Sequence, residues 1–183
     1  MKKSHELVQQ ITARYSWDDI NLTDEKQKQL MEVVNQLKPP TRTFTWFGLT
    51  RSIRDKNRLL LVFHTITGTD KTIAAQLLAN EIRAELYRVD LAMVVSKYIG
   101  ETERNLDTIF DRAESMGWVL FFDEADALFG KRTEIMNTED CYYAPHTRNL
   151  HRKIEEYRGL VILSAGRREL IDRLFKNRIR YFI

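Results

Sequence analysis

Two stretches of the sequence decide the fold. Residues 118–124 read Trp-Val-Leu-Phe-Phe-Asp-Glu, and residues 65–72, directly after the apolar run 59–63, read Thr-Ile-Thr-Gly-Thr-Asp-Lys-Thr. An apolar run that ends in two carboxylates indicates a buried strand that delivers acidic side chains to the edge of a sheet. An acidic helix start after a strand is the structural alternative, because carboxylates favour a helix N-terminus.

The loop after the earlier apolar run resembles a phosphate-binding loop. That motif reads Gly-x-x-x-x-Gly-Lys-Ser/Thr: its glycines let backbone N–H groups surround the phosphates, while the lysine reaches the β- and γ-phosphates and the hydroxyl holds Mg²⁺. Gly68, Lys71 and Thr72 are retained, whereas Thr65 and Asp70 stand at the two glycine positions of the motif. Together with the acidic pair, this altered loop favours nucleotide binding over the structural alternative.

The composition predicts one globular domain, with or without an N-terminal extension. The chain has 183 residues, of which 43% are hydrophobic and 30% are charged, too many apolar residues for global disorder. Its 29 Lys and Arg residues face 26 Asp and Glu residues, a net charge of +3. This near balance, with basic residues dispersed along the chain, argues against nucleic acid as the partner.

The cysteine content and the hydropathy of the sequence indicate the cellular compartment of the protein. The single cysteine, Cys141, excludes an internal disulfide framework and a cysteine-based zinc cluster. Neither an apolar signal core after Met1 nor a run of about 18 apolar residues is present in the sequence. We therefore expect a cytoplasmic protein without a membrane partner.

The first forty residues carry two amphipathic patterns that predict a helical entry segment. Apolar residues recur at helical spacing at Leu7, Ile11 and Tyr15, and again at Leu30, Val33, Val34 and Leu37. Thr23 and Asp24 suit the start of the second helix, and Pro39 and Pro40 end it because proline lacks the N–H that a helix needs. We place a helical N-terminal extension and linker at 1–45 and the core domain at 46–183.

In the core domain, apolar strands alternate with helical patterns. Strands are predicted at 59–63, 86–91, 118–122 and 160–165, with a fifth beginning at 181, and helices at 73–85, 101–116 and 150–157. Such alternation requires right-handed crossovers between parallel strands and helices on both faces of the sheet. The predicted fold class is therefore a three-layer α/β domain with a mainly parallel sheet.

Three further segments carry a resemblance to a known family. They read Tyr-Arg-Val-Asp-Leu at 87–91, Val-Val-Ser-Lys-Tyr-Ile-Gly-Glu-Thr-Glu at 94–103, and Leu-Phe-Phe-Asp-Glu-Ala-Asp-Ala-Leu-Phe-Gly-Lys-Arg at 120–132. In order and spacing the chain resembles bacterial AAA ATPases from about Trp17 onward. The resemblance implies a P-loop NTPase core with five strands in the order 5-1-4-3-2, ring-forming subunits, and ATP hydrolysis that drives remodelling or threading of a protein substrate.

The resemblance also assigns roles to residues, with ATP and Mg²⁺ as the bound groups. Lys71 would contact the phosphates, Thr72 and Asp123 would hold Mg²⁺, and Glu124 would polarise the attacking water. The remaining nucleotide-binding positions of the loop are Gly68, Thr69 and Asp70. Arg178 and Arg180 are the candidates for an arginine finger that reaches the γ-phosphate of a neighbouring subunit; as an alternative, both are solvated basic residues.

The segment before the helix 101–116 resembles the central pore loop of the family. It consists of Lys97, Tyr98, Ile99 and Gly100. In the family an aromatic residue of this loop grips an extended polypeptide, which implies a protein substrate or a partner protein. The alternative is an ordinary strand-to-helix loop in which Tyr98 packs onto the body of the domain.

Several departures from the family pattern fall on catalysis. Asp70 puts a carboxylate beside phosphate oxygens, and its structural alternative, compatible with that effect, is a helix N-cap. Gly166 replaces an asparagine that orients water, and Asn177 replaces the first of two arginines. The chain stops at Ile183, where relatives continue into a helical lid, so we expect a ring only if a lid is supplied. The sequence therefore predicts an ATP-binding protein with impaired hydrolysis, or alternatively a catalytically inactive scaffold or ring-partner module.

Overall fold

The computed structural model of the protein describes residues 7–12, 15–37, 59–64, 69–94, 100–125, 145–166, 168, 171, 175 and 179–183. The strands within these ranges are β1 (Val8–Ile11), β2 (Leu59–Phe63), β3 (Leu86–Val89), β4 (Val119–Phe122), β5 (Leu160–Ser164) and β6 (Ile179–Phe182). The α-helices are α1 (Asp24–Leu37), α2 (Thr69–Glu81), α3 (Leu91–Val94), α4 (Glu101–Met116) and α5 (Pro145–Glu156), and a short 3-10 helix covers Trp17–Asp19.

The strands form one six-stranded sheet in the order β1-β3-β4-β5-β2-β6. Neighbours from β3 to β6 run parallel, and only the pairing of β1 with β3 is antiparallel. When the five strands β2 to β6 are numbered along the chain, their order is 5-1-4-3-2. The predicted α/β fold and strand order are therefore confirmed.

The first amphipathic pattern forms a strand, so the helix expected there is wrong. In β1, Val8 lies opposite Val89 and Ile11 lies opposite Leu86, and Val8 is buried. Backbone pairing with β3 satisfies the N–H and C=O groups that a helix would have satisfied internally. The strand also covers the edge of β3 that would otherwise stay open.

The second amphipathic pattern forms α1, as predicted. Leu30, Val33 and Val34 are each at most 1% exposed and share an apolar cluster with β2 and α2. None of the helices in the described ranges combines the length and the apolar character needed to cross a bilayer.

Side chains alternate between two apolar clusters, one on each face of the sheet. On one face, Leu120 and Phe122 pack with residues of α4 and α5. On the other face, Phe63 and Phe121 pack with α1 and α2. Successive residues of a strand point to opposite faces of the sheet. The position of a residue along its strand therefore shows whether its side chain lies on the face covered by α2 or on the opposite face.

Several element boundaries differ from the predicted ones. Helix α2 begins at Thr69 and ends at Glu81, and Arg83 follows with a left-handed φ of 56°, a conformation that stops a helix. Strand β3 ends at Val89 because α3 begins two residues later. Helix α5 begins at Pro145, a position where proline is tolerated because the first N–H groups of a helix have no partner within it.

Candidate functional site

A lysine at the start of α2 contacts the end of a neighbouring strand. Lys71 is the third residue of α2, and its Nζ donates a hydrogen bond of 2.8 Å to the hydroxyl oxygen of Ser164. Ser164 is the last residue of β5 and is fully buried. The strand pairing of β2 with β5 brings Phe63 opposite Ser164, so β2 ends beside this serine.

The acidic pair follows β4 directly. The side chain of Asp123 is 25% exposed, whereas Glu124 lies exposed to solvent. The backbone N–H of Glu124 donates to Oδ1 of Asp123 at 3.1 Å. Glu124 has a φ of 52°, a left-handed conformation that is uncommon for a residue with a side chain and is often found at functional sites.

Ser164 joins the lysine to the acidic pair. Its carbonyl oxygen accepts a hydrogen bond of 2.8 Å from the backbone N–H of Ala125, while its hydroxyl accepts from Lys71. Strand β5 lies between β2 and β4, and the carboxyl ends of parallel strands meet at one edge of a sheet. The structure therefore gathers Lys71 and the pair Asp123 and Glu124 at the same edge.

An arginine of β3 completes the cluster. Nη2 of Arg88 lies 2.9 Å from Oδ2 of Asp123 in an ion pair. Sequence reasoning missed both Arg88 and Ser164 as site residues. The only signal in the sequence is that each is a polar residue in a strand that is otherwise apolar, which does not reveal a partner on another strand.

The residues predicted to hold Mg²⁺ offer the donor type that this ion takes. Thr72 supplies a hydroxyl oxygen and Asp123 a carboxylate, and Mg²⁺ binds oxygen ligands. In the described part of the chain, no group of three or more His, Cys, Asp or Glu side chains is placed to hold a metal ion. In general, Mg²⁺ keeps several waters and binds through one or two protein groups plus substrate phosphates.

Asp70 lies in the first turn of α2, one residue inside its start. It is therefore inside the helix, and the N-cap role considered as an alternative is wrong. A carboxylate in the first turn is favoured by the helix macrodipole.

The residues flanking the candidate pore loop are held in place. The side chain of Asn105 donates a hydrogen bond of 3.0 Å to the carbonyl of Val94, which links α4 back to the end of α3. Gly100 precedes α4 with a φ of 77°, a left-handed conformation that glycine adopts without strain. The intervening candidates Lys97, Tyr98 and Ile99 lie outside the described residues.

Other predicted site residues also fall outside the described part of the chain. Gly68 and Arg178 are not described at all, and only the backbone is described for Thr69 and Arg180. Gly166 is described and exposed, two residues beyond the end of β5. The roles predicted for these residues therefore stay predictions.

Comparison with known proteins identifies the family. The family model described as "ATPase family associated with various cellular activities (AAA)" matches residues 61–183. The match runs from the third residue of β2 through β6 and includes Lys71, Ser164 and the acidic pair. The chain belongs to the AAA family of ATPases, whose domain implies nucleotide binding.

Individual curated proteins are also similar to this chain. The chain is 32% identical over 123 residues to Protein SAV of Sulfolobus acidocaldarius, a match that covers 67% of this chain and 15% of that protein. It is 37% identical over 119 residues to Protein mac-1 of Caenorhabditis elegans, covering 64% and 14%. It is 29% identical over 153 residues to the ATPase family gene 2 protein of Saccharomyces cerevisiae, covering 83% and 19%. The chain thus spans less than a fifth of each of these relatives.

Proposed function

We propose that this chain binds ATP with Mg²⁺ at the edge of the sheet where β2, β4 and β5 end. The observation that carries the proposal is the chain of contacts from Lys71 through Ser164 to the residues after β4. An ammonium group has three donors, so Lys71 keeps two N–H groups for phosphate oxygens while it contacts Ser164. Thr72 and Asp123 would hold Mg²⁺, which neutralises phosphate charge when it is bound.

We further propose that hydrolysis is weak. Glu124 is exposed and placed directly after Asp123, so it can accept a proton from a water molecule at this edge. Gly166, in the position of an asparagine in relatives, has no side chain to orient that water. Arg178 or Arg180 would act as the arginine finger, a contribution of about 10³ to 10⁵ in rate where it is present.

Asp70 supports impaired nucleotide binding. Two unit charges about 4 Å apart in a medium of effective dielectric near 20 interact by about 4 kcal/mol, and every 1.4 kcal/mol or so corresponds to a tenfold change in affinity. A carboxylate in the first turn of α2 therefore weakens the affinity for a polyphosphate strongly unless a cation shields it. A scaffold or ring-partner role without turnover is the alternative that this charge favours.

We propose a protein as the partner and the cytoplasm as the location. The partner proposal rests on the resemblance of residues 97–100 to a pore loop and on the fixed ends of that segment, where Asn105 contacts Val94. The single cysteine in the sequence supports a reducing compartment.

Nucleotide-dependent stability tests the proposal. With Mg-ATP at 100 times its Kd, the free energy of unfolding should rise by about 2.7 kcal/mol. Lys71→Ala should abolish this increase, whereas Lys28→Ala, which changes an exposed lysine of α1, should keep it. No increase for the wild-type chain with any nucleotide would contradict ATP binding and favour the scaffold.

Glu124→Gln separates an enzyme from a nucleotide-binding scaffold. The amide keeps the shape of the side chain but cannot accept the proton, so any hydrolysis should disappear while Mg-ATP binding, measured by calorimetry, stays unchanged. If the wild type and the variant release phosphate at the same rate above background, Glu124 is not the catalytic base.

A further inference from the structure

We propose that Arg88 competes with Mg²⁺ for Asp123, so that the magnesium ligand is held in an ion pair until Mg-nucleotide binds. The inference rests on the proposed Mg-ATP site, but it assigns a new role to an arginine of β3. Arg88 is a positioning residue in this role, since it acts through the carboxylate of Asp123. Its contact with that carboxylate is 2.9 Å long.

The sheet places Arg88 where it reaches this carboxylate. Strand β3 pairs in parallel with β4, with Arg88 opposite Phe121, two residues before Asp123. Phe121 and Leu86 belong to the apolar cluster on the α2 side of the sheet. By the alternation of side chains along a strand, Arg88 lies on that same side, between the apolar face and the solvent.

Both oxygens of the Asp123 carboxylate already have partners. Oδ2 accepts from Arg88 at 2.9 Å, and Oδ1 accepts from the backbone N–H of Glu124 at 3.1 Å. A divalent ion coordinated by this carboxylate would lie within a few ångströms of the guanidinium of Arg88, whose positive charge would repel the ion. Binding of the ion must therefore displace Arg88 or act against the repulsion between two cations.

Arg88 is free to leave without disturbing the fold. Its side chain is 46% exposed, whereas the other three residues of β3, Leu86, Tyr87 and Val89, are buried in the core. Exposed ion pairs contribute little to stability. If the ion pair were purely structural, its removal would leave the Mg²⁺ dependence of nucleotide binding unchanged. This expectation separates a structural role of Arg88 from competition with Mg²⁺.

Calorimetric titration with ATP, in Mg²⁺ and in EDTA, tests the competition. Arg88→Gln removes the charge and should tighten ATP binding by about two- to fivefold in Mg²⁺, the effect expected for loss of an exposed ion pair, with no change in EDTA. Arg88→Lys keeps the charge and should remain near the wild type. Arg158→Gln is the matched control, since Arg158 forms an exposed ion pair of 3.9 Å with Glu114.

Any other outcome of this titration would overturn the inference. Equal gains in Mg²⁺ and in EDTA would show that Arg88 acts on the nucleotide rather than on the metal ligand. Weaker binding of Mg-ATP by Arg88→Gln would show that the arginine contributes to the site. If the wild type binds Mg-ATP and Arg88→Gln binds it equally well, only the proposed competition between Arg88 and Mg²⁺ is overturned. If neither the wild type nor any variant binds Mg-ATP, the proposed function is overturned as well.

Discussion

At the residue scale, the site combines charges that the fold places close together. Lys71 contacts a buried hydroxyl, Asp123 pairs with Arg88, and Glu124 holds a left-handed φ of 52°. A backbone in that region costs about 1 to 3 kcal/mol for a residue with a side chain. The backbone N–H of Ala125 donates to the carbonyl of Ser164, and Ala125 is buried, so the chain is anchored directly after the acidic pair.

Asp70→Gly tests whether the carboxylate in the first turn of α2 limits nucleotide binding. Removing the charge should tighten Mg-ATP binding at least about tenfold, or roughly 1.4 kcal/mol, in a calorimetric titration. Glycine in a helix also costs about 0.5 to 1 kcal/mol relative to alanine, so the variant should melt slightly earlier without ligand.

Asp70→Asn is the control for this change, because it removes the charge and leaves the backbone less free than glycine does. Equal affinity of Asp70→Gly, Asp70→Asn and the wild type would show that repulsion by the carboxylate is not the limiting defect. Tighter binding by glycine alone would instead show that close approach of the backbone is what the loop lacks.

At the scale of elements, local patterns predicted some segments and failed for others. Helix α4 has the predicted bounds Glu101–Met116 because glycines with left-handed φ stand at both ends. Strand β1 was missed because Leu7, Ile11 and Tyr15 also fit a helical spacing. Its partner β3 lies more than 70 residues away, and a pattern in one segment carries no information about so distant a pairing.

The prediction of the site residues has the same limit, because a local sequence pattern does not reveal contacts with distant residues. Lys71, Thr72 and the acidic pair belong to motifs of fixed spacing, so the sequence predicted them. Ser164 and Arg88 join the site through contacts with residues 93 and 35 positions away. Such contacts follow from the strand order and from the face on which each side chain lies, both of which require the folded sheet.

Tyr157 fixes the junction between α4, β4 and α5. It is buried, and its hydroxyl lies 2.5 Å from the carbonyl of Trp118 and 3.3 Å from that of Ala113. Burial, with the charge of Glu114 as a smaller cause, raises the pKa of Tyr157. The folded state therefore disfavours the phenolate, and the stability associated with this tyrosine is lost as pH rises above the ordinary value near 10.

Tyr157→Phe should lower the free energy of unfolding at pH 7 by about 1 to 2 kcal/mol, because a buried carbonyl loses its donor. As pH rises past 10, the wild type should lose stability faster than the variant, so the gap between them should narrow. Urea unfolding at pH 7 and near pH 10.5 measures both effects. Tyr15→Phe, outside this junction, is the control at pH 7, and a gap that widens with pH would contradict the assigned role of burial.

At the scale of the whole molecule, the N-terminal segment that contains β1 and α1 contacts the sheet near both of its edges. Strand β1 pairs with β3 at one edge, while the hydroxyl of Tyr181, in the edge strand β6, contacts Glu32 and Gln36 of α1. The segment thus reaches from the strand that carries Arg88 to the strand that carries Arg180. Its packing is continuous with the core, since Leu7 and Val34 belong to the two main apolar clusters.

Deletion of residues 1–11 should show how far the core depends on β1. Leu7 and Val8 are 1% and 7% exposed, and burial of one such side chain contributes about 1.5 to 3 kcal/mol, so we expect a loss of at least about 2 kcal/mol in urea unfolding. The edge of β3 would lose its partner, and unpaired edges promote pairing between molecules. Light scattering should therefore rise with protein concentration for this variant.

Two controls separate the causes of that result. Deletion of residues 1–6 keeps β1 and should preserve both stability and solubility, whereas Leu7→Ala removes a buried side chain and keeps the strand. If Leu7→Ala loses stability without scattering, burial and edge protection are separate contributions of one segment. If deletion of 1–11 leaves the unfolding midpoint and the scattering unchanged, β1 contributes neither to the stability of the sheet nor to the protection of its edge.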